Sequence, residues 1–256
     1  MLSPRHHHLA LSLLCLVLAG HPALAGPRQS KPVRLHGTVQ TSGPVMLDTP
    51  LCQLGQSGTA FGAENVAYFD GADTYFTWLV SDSCTTCPDN SMLTFQNAHV
   101  SLFFPSAPCT LLVQFRVVDA TIPPNGCRNQ DALTTMCDPF AVQLTNQLVN
   151  ATVDFSVPFP DSCKMFNTFP LGDGEAFLGV TFLGVNRACS DSLLKPRLIT
   201  KQFGQQCTSY NPVGDTNIDF VLQYSSGNPI MYVDVERCVS TPTRRRTWGE
   251  LKTRYR

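Results

Sequence analysis

Short apolar segments recur between residues 33 and 235, and Gly, Pro, Asn or Asp bound most of them. Apolar and polar residues alternate most clearly at 152–157 and 230–235, as expected for strands with one face on a core and the other in water. The other strand candidates are 33–39, 65–69, 75–80, 99–104, 111–118, 140–144, 176–183 and 218–224. Long helical periodicity is absent there, so the pattern predicts strands.

Turn signals separate these candidates, most plainly at 123–126, 172–174 and 226–229, where Gly, Pro, Asn and Asp cluster. Ten candidates in a block of about 200 residues favour two packed sheets around one core. We therefore predict an all-β, two-sheet sandwich of jelly-roll type, formed by a single domain at 26–240.

Residues 1–25 have the layout of a signal peptide. A polar start is followed by the apolar run 9–20, and Ala23-Leu24-Ala25 supplies small residues at a cleavage site. No later stretch reaches the ~20 apolar residues of a membrane-spanning helix. The sequence thus predicts a secreted product, extracellular, at the cell surface or periplasmic, with no transmembrane segment in the mature chain.

Ten of the eleven cysteines follow the signal segment, which predicts five disulfides in an oxidising compartment. The pair Cys84 and Cys87 allows two alternatives, a redox-active pair or a zinc site. A redox pair favours a helix start, and zinc needs a second close pair of ligands, so structural disulfides are preferred. The ten residues are Cys52, Cys84, Cys87, Cys109, Cys127, Cys137, Cys163, Cys189, Cys207 and Cys238.

Only 14% of the chain is charged, against about 25% in average soluble domains. Residues 26–243 hold 11 basic and 18 acidic residues, a net charge of −7 (11 − 18). An acidic body argues against nucleic acid as a partner.

No catalytic motif stands out, and we assign no catalytic residue. A hydrolase with a histidine base would need His36 or His99, the only histidines after the signal segment. Glycoside hydrolysis needs only two suitably spaced carboxylates, which the Asp and Glu residues could supply. A secreted glycan-active hydrolase is therefore the alternative to a non-catalytic protein.

Calcium is an alternative to a cofactor-free protein. Asp70 and Asp73, and separately Asp173 and Glu175, place carboxylates on Gly-containing turns. Such oxygen ligands suit calcium, although ordinary acidic turns explain the same pattern. No other cofactor is predicted.

Four aromatic residues offer a sugar-stacking surface or an ordinary core. They are Tyr68, Tyr75, Phe76 and Trp78. Aromatic residues at strand spacing more often belong to a core. Glycan binding through them is thus the less favoured alternative.

The segment 241–256 has the composition of a spacer and a basic tail. Residues 244–256 hold six basic residues and one acidic residue, a net charge of +5 (6 − 1). A capping box at 247–250 predicts a short helix that orders only against a partner, such as sorting machinery, an envelope surface or the acidic body itself. A frayed, solvated basic end is the alternative. The recognition residues we predict are Trp248, Leu251, Lys252, Arg254 and Tyr255.

The ending Trp-Gly-x-Leu-Lys-x-x-Tyr-Arg at 248–256, the region of Cys84 and Cys87, and the segment 227–232 resemble uncharacterised Cys-rich secreted proteins from bacterial genomes. The resemblance covers the later half of the body and the tail. It implies a bacterial periplasmic or extracellular product and brings no known activity. We expect a non-catalytic protein that binds an extracellular surface, with a structural envelope component as a further alternative.

Overall fold

The computed structural model contains two facing β-sheets, in which buried and exposed side chains alternate along strands such as the one at 151–158. It describes residues 35–40, 51–64, 73–80, 84–87, 91–121, 127, 129–160, 163–167, 175–191, 193–213, 216–224 and 227–240. The chain divides into Met1–Pro32 and Val33–Arg256, and every described residue lies in the second unit. The predicted signal segment and the tail after residue 240 lie outside the described residues.

The first sheet has seven strands. From one edge to the other they are β1 (Leu35–Gln40), β7 (Asn129–Asn146), β6 (Cys109–Thr121), β10 (Glu175–Val185), β4 (Asp73–Val80), β12 (Ser209–Val213) and β13 (Thr216–Asp219). The pairs are antiparallel except β1 with β7, which is parallel.

The second sheet is built around the long strand β5 (Ser91–Phe104). Its main order is β2 (Cys52–Gln56), β14 (Met231–Ser240), β5, β11 (Arg197–Thr200) and β3 (Gly62–Glu64). Two more strands, β8 (Ala151–Pro158) and β9 (Lys164–Asn167), pair with the edge of β5 opposite β14. The chain crosses repeatedly between the sheets, as at the connections from β5 to β6 and from β7 to β8. Together these features confirm the predicted two-sheet all-β sandwich.

The core lies between the sheets and is rich in phenylalanine. In β8 the predicted alternation is confirmed, since Phe155 and Val157 are buried in the core while Asp154 and Ser156 are on the other face. Large side chains that are fully buried include Tyr75, Phe104, Phe115, Phe140, Phe155, Phe182 and Phe220. Burying each such aromatic contributes roughly 1.5 to 3 kcal/mol to folding.

One strand prediction is wrong in part. The pattern at 218–224 predicts a strand, but β13 ends at Asp219 and the helix α1 (Phe220–Tyr224) follows. The Asp219 carboxylate accepts hydrogen bonds from the backbone N–H groups of Val221 (2.9 Å) and Cys207 (2.6 Å). An aspartate that satisfies a free N–H at a helix start favours the helix over strand continuation. In the described ranges no helix is long and apolar enough to span a bilayer.

Five disulfides join all ten predicted cysteines, which confirms that prediction. The pairs are Cys52–Cys84, Cys87–Cys238, Cys109–Cys189, Cys127–Cys207 and Cys137–Cys163. Cys84 and Cys87 are therefore each bonded to a distant strand, β2 and β14 respectively, and not to one another. Multiple disulfides of this kind fit a protein outside the cytoplasm.

Candidate functional site

Polar side chains gather on the outer face of the second sheet, around His99 in the middle of β5. The register places Tyr232 of β14 on one side of His99 and Ser156 of β8 on the other. Asp234 follows Tyr232 by two residues and Asp154 precedes Ser156 by two, so both lie on the same face as His99, because side chains alternate in a strand. Strand pairing alone therefore brings an imidazole and two carboxylates together.

The His99 imidazole is held from both edges. Its Nδ1 is 2.9 Å from Oδ2 of Asp154, and its Nε2 is 2.7 Å from Oδ2 of Asp234. The Tyr232 ring stacks on the imidazole, with 4.2 Å between centroids and 7° between planes. The side chain of His99 is only 8% exposed. Two carboxylate acceptors on the two ring nitrogens require both nitrogens to donate, so the ring is an imidazolium.

The carboxylates have further donors from neighbouring strands. Asp154 accepts hydrogen bonds from the Ser101 hydroxyl at 2.6 Å and from the Tyr232 hydroxyl at 2.9 Å. Asp234 accepts one from the amide of Gln53, with Nε2 and Oδ1 3.1 Å apart. These bonds join β2, β14, β5 and β8. We refer to the set as the His99 network, which consists of Gln53, His99, Ser101, Asp154, Tyr232 and Asp234.

Ionisation follows from these contacts. Burial by itself lowers the pKa of His99, but the hydrogen bonds and charges of Asp154 and Asp234 outweigh burial and raise it from 6.5 to about 9. Burial acts to raise the pKa of both aspartates, yet the hydrogen bonds and the charge of His99 outweigh it, so both pKa values lie below 3.8. At neutral pH the cluster is an imidazolium between two carboxylates, with a net charge of −1.

The network resembles a hydrolase triad only at first sight. The Ser156 hydroxyl is 3.4 Å from Nε2 of His99, and Asp154 is bound to Nδ1. In a working triad the histidine is neutral and its free nitrogen takes the serine proton. Here Nε2 is protonated and already bound to Asp234 at 2.7 Å. His99 therefore cannot act as a general base for Ser156 near neutral pH.

The paired-carboxylate chemistry of glycosidases is also disfavoured here. Asp154 and Asp234 approach His99 from opposite edges, so the imidazolium ring occupies the gap between their contacting oxygens. A glycosidase needs that gap for the glycosidic bond or a water molecule. In the His99 network, the best-placed carboxylate pair is thus bound to a cation of the protein itself.

A scan against protein-family models finds no match, and a search of curated proteins finds none. The chain's own geometry gives an all-β, disulfide-rich fold compatible with a secreted binding domain.

The four calcium candidates are not gathered into one site by the described residues. Asp70 and Asp173 lie outside the described part. Asp73 begins β4 and Glu175 begins β10, and the antiparallel register pairs Asp73 with Phe182. Seven residues of strand separate that position from Glu175, roughly 24 Å at the usual rise. The two predicted turns therefore remain separate candidates, and calcium binding stays a prediction for each.

The aromatic candidates divide between two faces of β4. Tyr75 belongs to the main core, while Phe76 lies on the outer face of the first sheet with Phe177 and Tyr210. Phe76 also packs over Gly179, where an added Cβ would approach the ring to 2.6 Å. The aromatics described on this outer face are almost fully buried except Trp78, which is partly exposed, so they leave little aromatic surface for a sugar on this face. Tyr68 lies outside the described residues.

The predicted tail residues Trp248, Leu251, Lys252, Arg254 and Tyr255 also lie outside the described part, and their role stays a prediction. For the His99 network, the sequence suggests His99 as a possible base but does not identify its partners. A signal for them is present, because Asp154 and Asp234 are the charged members of the two clearest alternating segments. Finding them requires knowing that β8 and β14 flank β5.

Proposed function

We propose that this chain is a secreted, non-catalytic β-sandwich that binds at an extracellular or cell surface, and that its tail serves sorting or attachment. The observation that carries the proposal is the state of His99. The His99 network is the most enzyme-like cluster in the described residues. Both imidazole nitrogens of His99 are bound to aspartates, and the pKa of His99 is raised to about 9. The polar groups of the network stabilise the sheet and are not available for proton transfer.

The fold supports this proposal in two further ways. Five disulfides stiffen a sandwich whose connections emerge at its ends, which suits a scaffold that presents loops to a partner. The net charge of −7 on residues 26–243 and of +5 on residues 244–256 separates an acidic body from a basic end. A basic tail of this kind suits capture by sorting machinery or by an anionic envelope surface.

The binding role is tested with the mature chain, residues 26–256, added to intact cells of the native host. We expect saturable binding that survives Ser156→Ala, because Ser156 has no catalytic role in this proposal. Failure of the mature chain to bind would contradict it. Turnover of ester, peptide or glycan substrates that is lost in Ser156→Ala or Asp154→Asn would instead favour the hydrolase alternative.

The tail is tested in the host by comparing the full chain with a variant that ends at residue 240. Surface attachment or export should be lost in the shortened chain, while its disulfides still form. A matched variant that keeps the length but replaces Trp248, Leu251 and Tyr255 by Ser should fail in the same way. Unchanged localisation of both variants would refute a sorting role and leave a structural envelope component as the better interpretation.

A further inference from the structure

Three connections meet at one end of the sandwich, which we call the loop end. They are 105–108 between β5 and β6, 147–150 between β7 and β8, and 186–196 between β10 and β11. The register confirms their proximity, since Phe104 at the end of β5 pairs with Ala151 at the start of β8. The described residues of these three connections therefore form a single surface.

Direct bonds tie the connections together. Cys109, the first residue of β6, pairs in register with Asn146 and is disulfide-bonded to Cys189. The Ser106 hydroxyl donates to the backbone carbonyl of Leu194, 3.1 Å away. Through these contacts all three connections are joined by strand pairing, a covalent bond or a hydrogen bond.

Several polar groups of the loop end are satisfied within it. The Asn146 side chain donates to the carbonyl of Leu148 at 2.6 Å and accepts from the Leu148 N–H at 3.1 Å. The Asp191 carboxylate accepts from the N–H of Leu193, and the Asp191 carbonyl accepts from the N–H of Leu194, each at 2.9 Å. Backbone satisfied in this way costs less to move out of water.

Two pairs of adjacent aliphatic residues nevertheless point into solvent there. Leu148 and Val149 are 56% and 59% exposed, and Leu193 is 75% exposed beside Leu194 at 40%. Single exposed apolar residues are ordinary on a protein surface, but two pairs on loops at one end need an explanation. The backbone N–H groups of Leu148, Leu193 and Leu194 are held by hydrogen bonds within their loops, which keeps these side chains in solvent.

The charge of the loop end differs in sign from that of the body. Connection 186–196 holds Arg187 and Lys195 against Asp191, a net charge of +1 (2 − 1), and connections 105–108 and 147–150 are uncharged. Residues 26–243 as a whole carry −7 (11 − 18). An acidic protein with a basic, aliphatic end is oriented by an anionic surface with that end towards it.

We propose that the loop end docks onto a lipid bilayer containing anionic phospholipids, with Leu148, Val149, Leu193 and Leu194 entering the boundary between headgroups and acyl chains. This inference rests on the proposed surface-binding function and names its partner. Exposed aliphatic side chains flanked by basic residues are the combination that interfacial membrane binding uses. The residues that dominate binding at protein–protein interfaces are instead enriched in Trp, Tyr and Arg. The two exposed apolar pairs of the loop end consist of Leu and Val only.

The test uses the mature chain, residues 26–256, and vesicles of phosphatidylcholine with and without phosphatidylglycerol. We expect co-sedimentation with the anionic vesicles. The double variant Leu148→Ser with Leu193→Ser should lower the partition coefficient by about tenfold or more, since two leucines no longer leave water. The matched control Phe203→Ser with Leu222→Ser removes two exposed apolar residues, one between β11 and β12 and one in α1, and should change the partition coefficient by less than about twofold.

All variants keep the basic tail and the net charge, so a difference between them reports the loop end. Equal losses in both double variants, or no loss in either, would overturn the proposal. Because a serine variant could fold poorly, Val149→Trp and Leu222→Trp provide a second measurement. Brominated phosphatidylcholine should quench added fluorescence at position 149 and not at position 222, and absence of quenching at 149 would also refute docking.

Comparison with cells separates this inference from the proposed function. If the mature chain binds cells but not vesicles, and the Leu148 and Leu193 variant loses cell binding, the partner is a protein and the lipid inference fails alone. If the chain binds neither cells nor vesicles, the proposed function fails with it.

Discussion

The His99 network and the loop end use polar groups in opposite ways. In the network, polar side chains dominate a sheet face, but they are bound to each other, with Asp154 alone accepting bonds from His99, Ser101 and Tyr232. At the loop end several backbone groups are also satisfied internally, and the exposed side chains include two aliphatic pairs as well as charged residues such as Arg187. The groups of the His99 network are thus bound to one another, whereas the aliphatic pairs of the loop end are exposed to solvent.

The type of a residue therefore does not show whether its polar atoms are free to react. A histidine bonded to one aspartate is a common catalytic arrangement. Here a second aspartate occupies the free nitrogen that a base requires. The network instead connects four strands through side chains. Its expected contribution is therefore to stability, whereas the loop end is expected to contribute to binding.

The largest effect is expected from removing the loop-end disulfide in Cys109→Ser with Cys189→Ser. That bridge spans 80 residues, and the chain-entropy relation gives about 4.5 kcal/mol of unfolding free energy. Cys137→Ser with Cys163→Ser, which spans 26 residues, should cost about 3.5 kcal/mol. Denaturant unfolding measures both. Only the first variant should also weaken vesicle binding. Equal vesicle binding by both variants would contradict a specific role of the loop end in binding.

His99→Ala should cost about 4 kcal/mol in unfolding free energy, because it leaves two carboxylates facing one another without their cation. The matched control is Ser156→Ala, whose hydroxyl is 3.4 Å from His99 and should contribute only a few tenths of a kcal/mol. Vesicle binding of folded His99→Ala should be unchanged. A loss of unfolding free energy below about 1 kcal/mol would show that the His99 network does not stabilise the second sheet.

Stability should depend on pH through His99. Its pKa rises from 6.5 to about 9 on folding, so its contribution is complete below pH 6.5 and is lost as pH rises through 9. The aspartates have lowered pKa values, so their contribution is present above about 3.8 and is lost as pH falls below it. Unfolding free energy should therefore fall by about 3 kcal/mol between pH 6 and 10. The same titration of His99→Gln should lack that fall, and parallel curves would contradict the assignment.

A smaller effect separates the two aspartates. Asp234 has a side chain that is 6% exposed, while that of Asp154 is 39% exposed and its attraction to His99 is screened by water. Asp234→Asn should thus cost about 2 kcal/mol and Asp154→Asn about 1 kcal/mol in unfolding free energy. The reverse order would show that the additional donors to Asp154, from Ser101 and Tyr232, matter more than burial.

The sequence predicts the fold class well because alternation is a local signal. The segments around Phe155 and Val233 alternate cleanly, and both are strands with the expected face in the core. Short strands such as β2 and β12 are not predicted, since Gly55 and Pro212 interrupt any apolar run. At Asp219 a side-chain cap decides between strand and helix, and that competition is not visible in hydrophobic periodicity.

The candidate site cannot be predicted in the same way because it has no local motif. His99 is 55 residues from Asp154 and 135 residues from Asp234 along the chain. Their contact depends on which strands are neighbours and on the register between them, which the pattern of one strand does not specify. The loop end is hidden for the same reason, since its three connections meet only in the folded sandwich.

The central claim, that His99 is an imidazolium held by two aspartates, is tested most directly by an NMR pH titration of the mature chain. That chain has two histidines, His36 and His99, so His36→Gln assigns the signals. We predict a pKa of about 9 for His99, with both ring nitrogens protonated at pH 7. A value at or below 6.5, with one nitrogen unprotonated at pH 7, would contradict the claim and return His99 to consideration as a catalytic base.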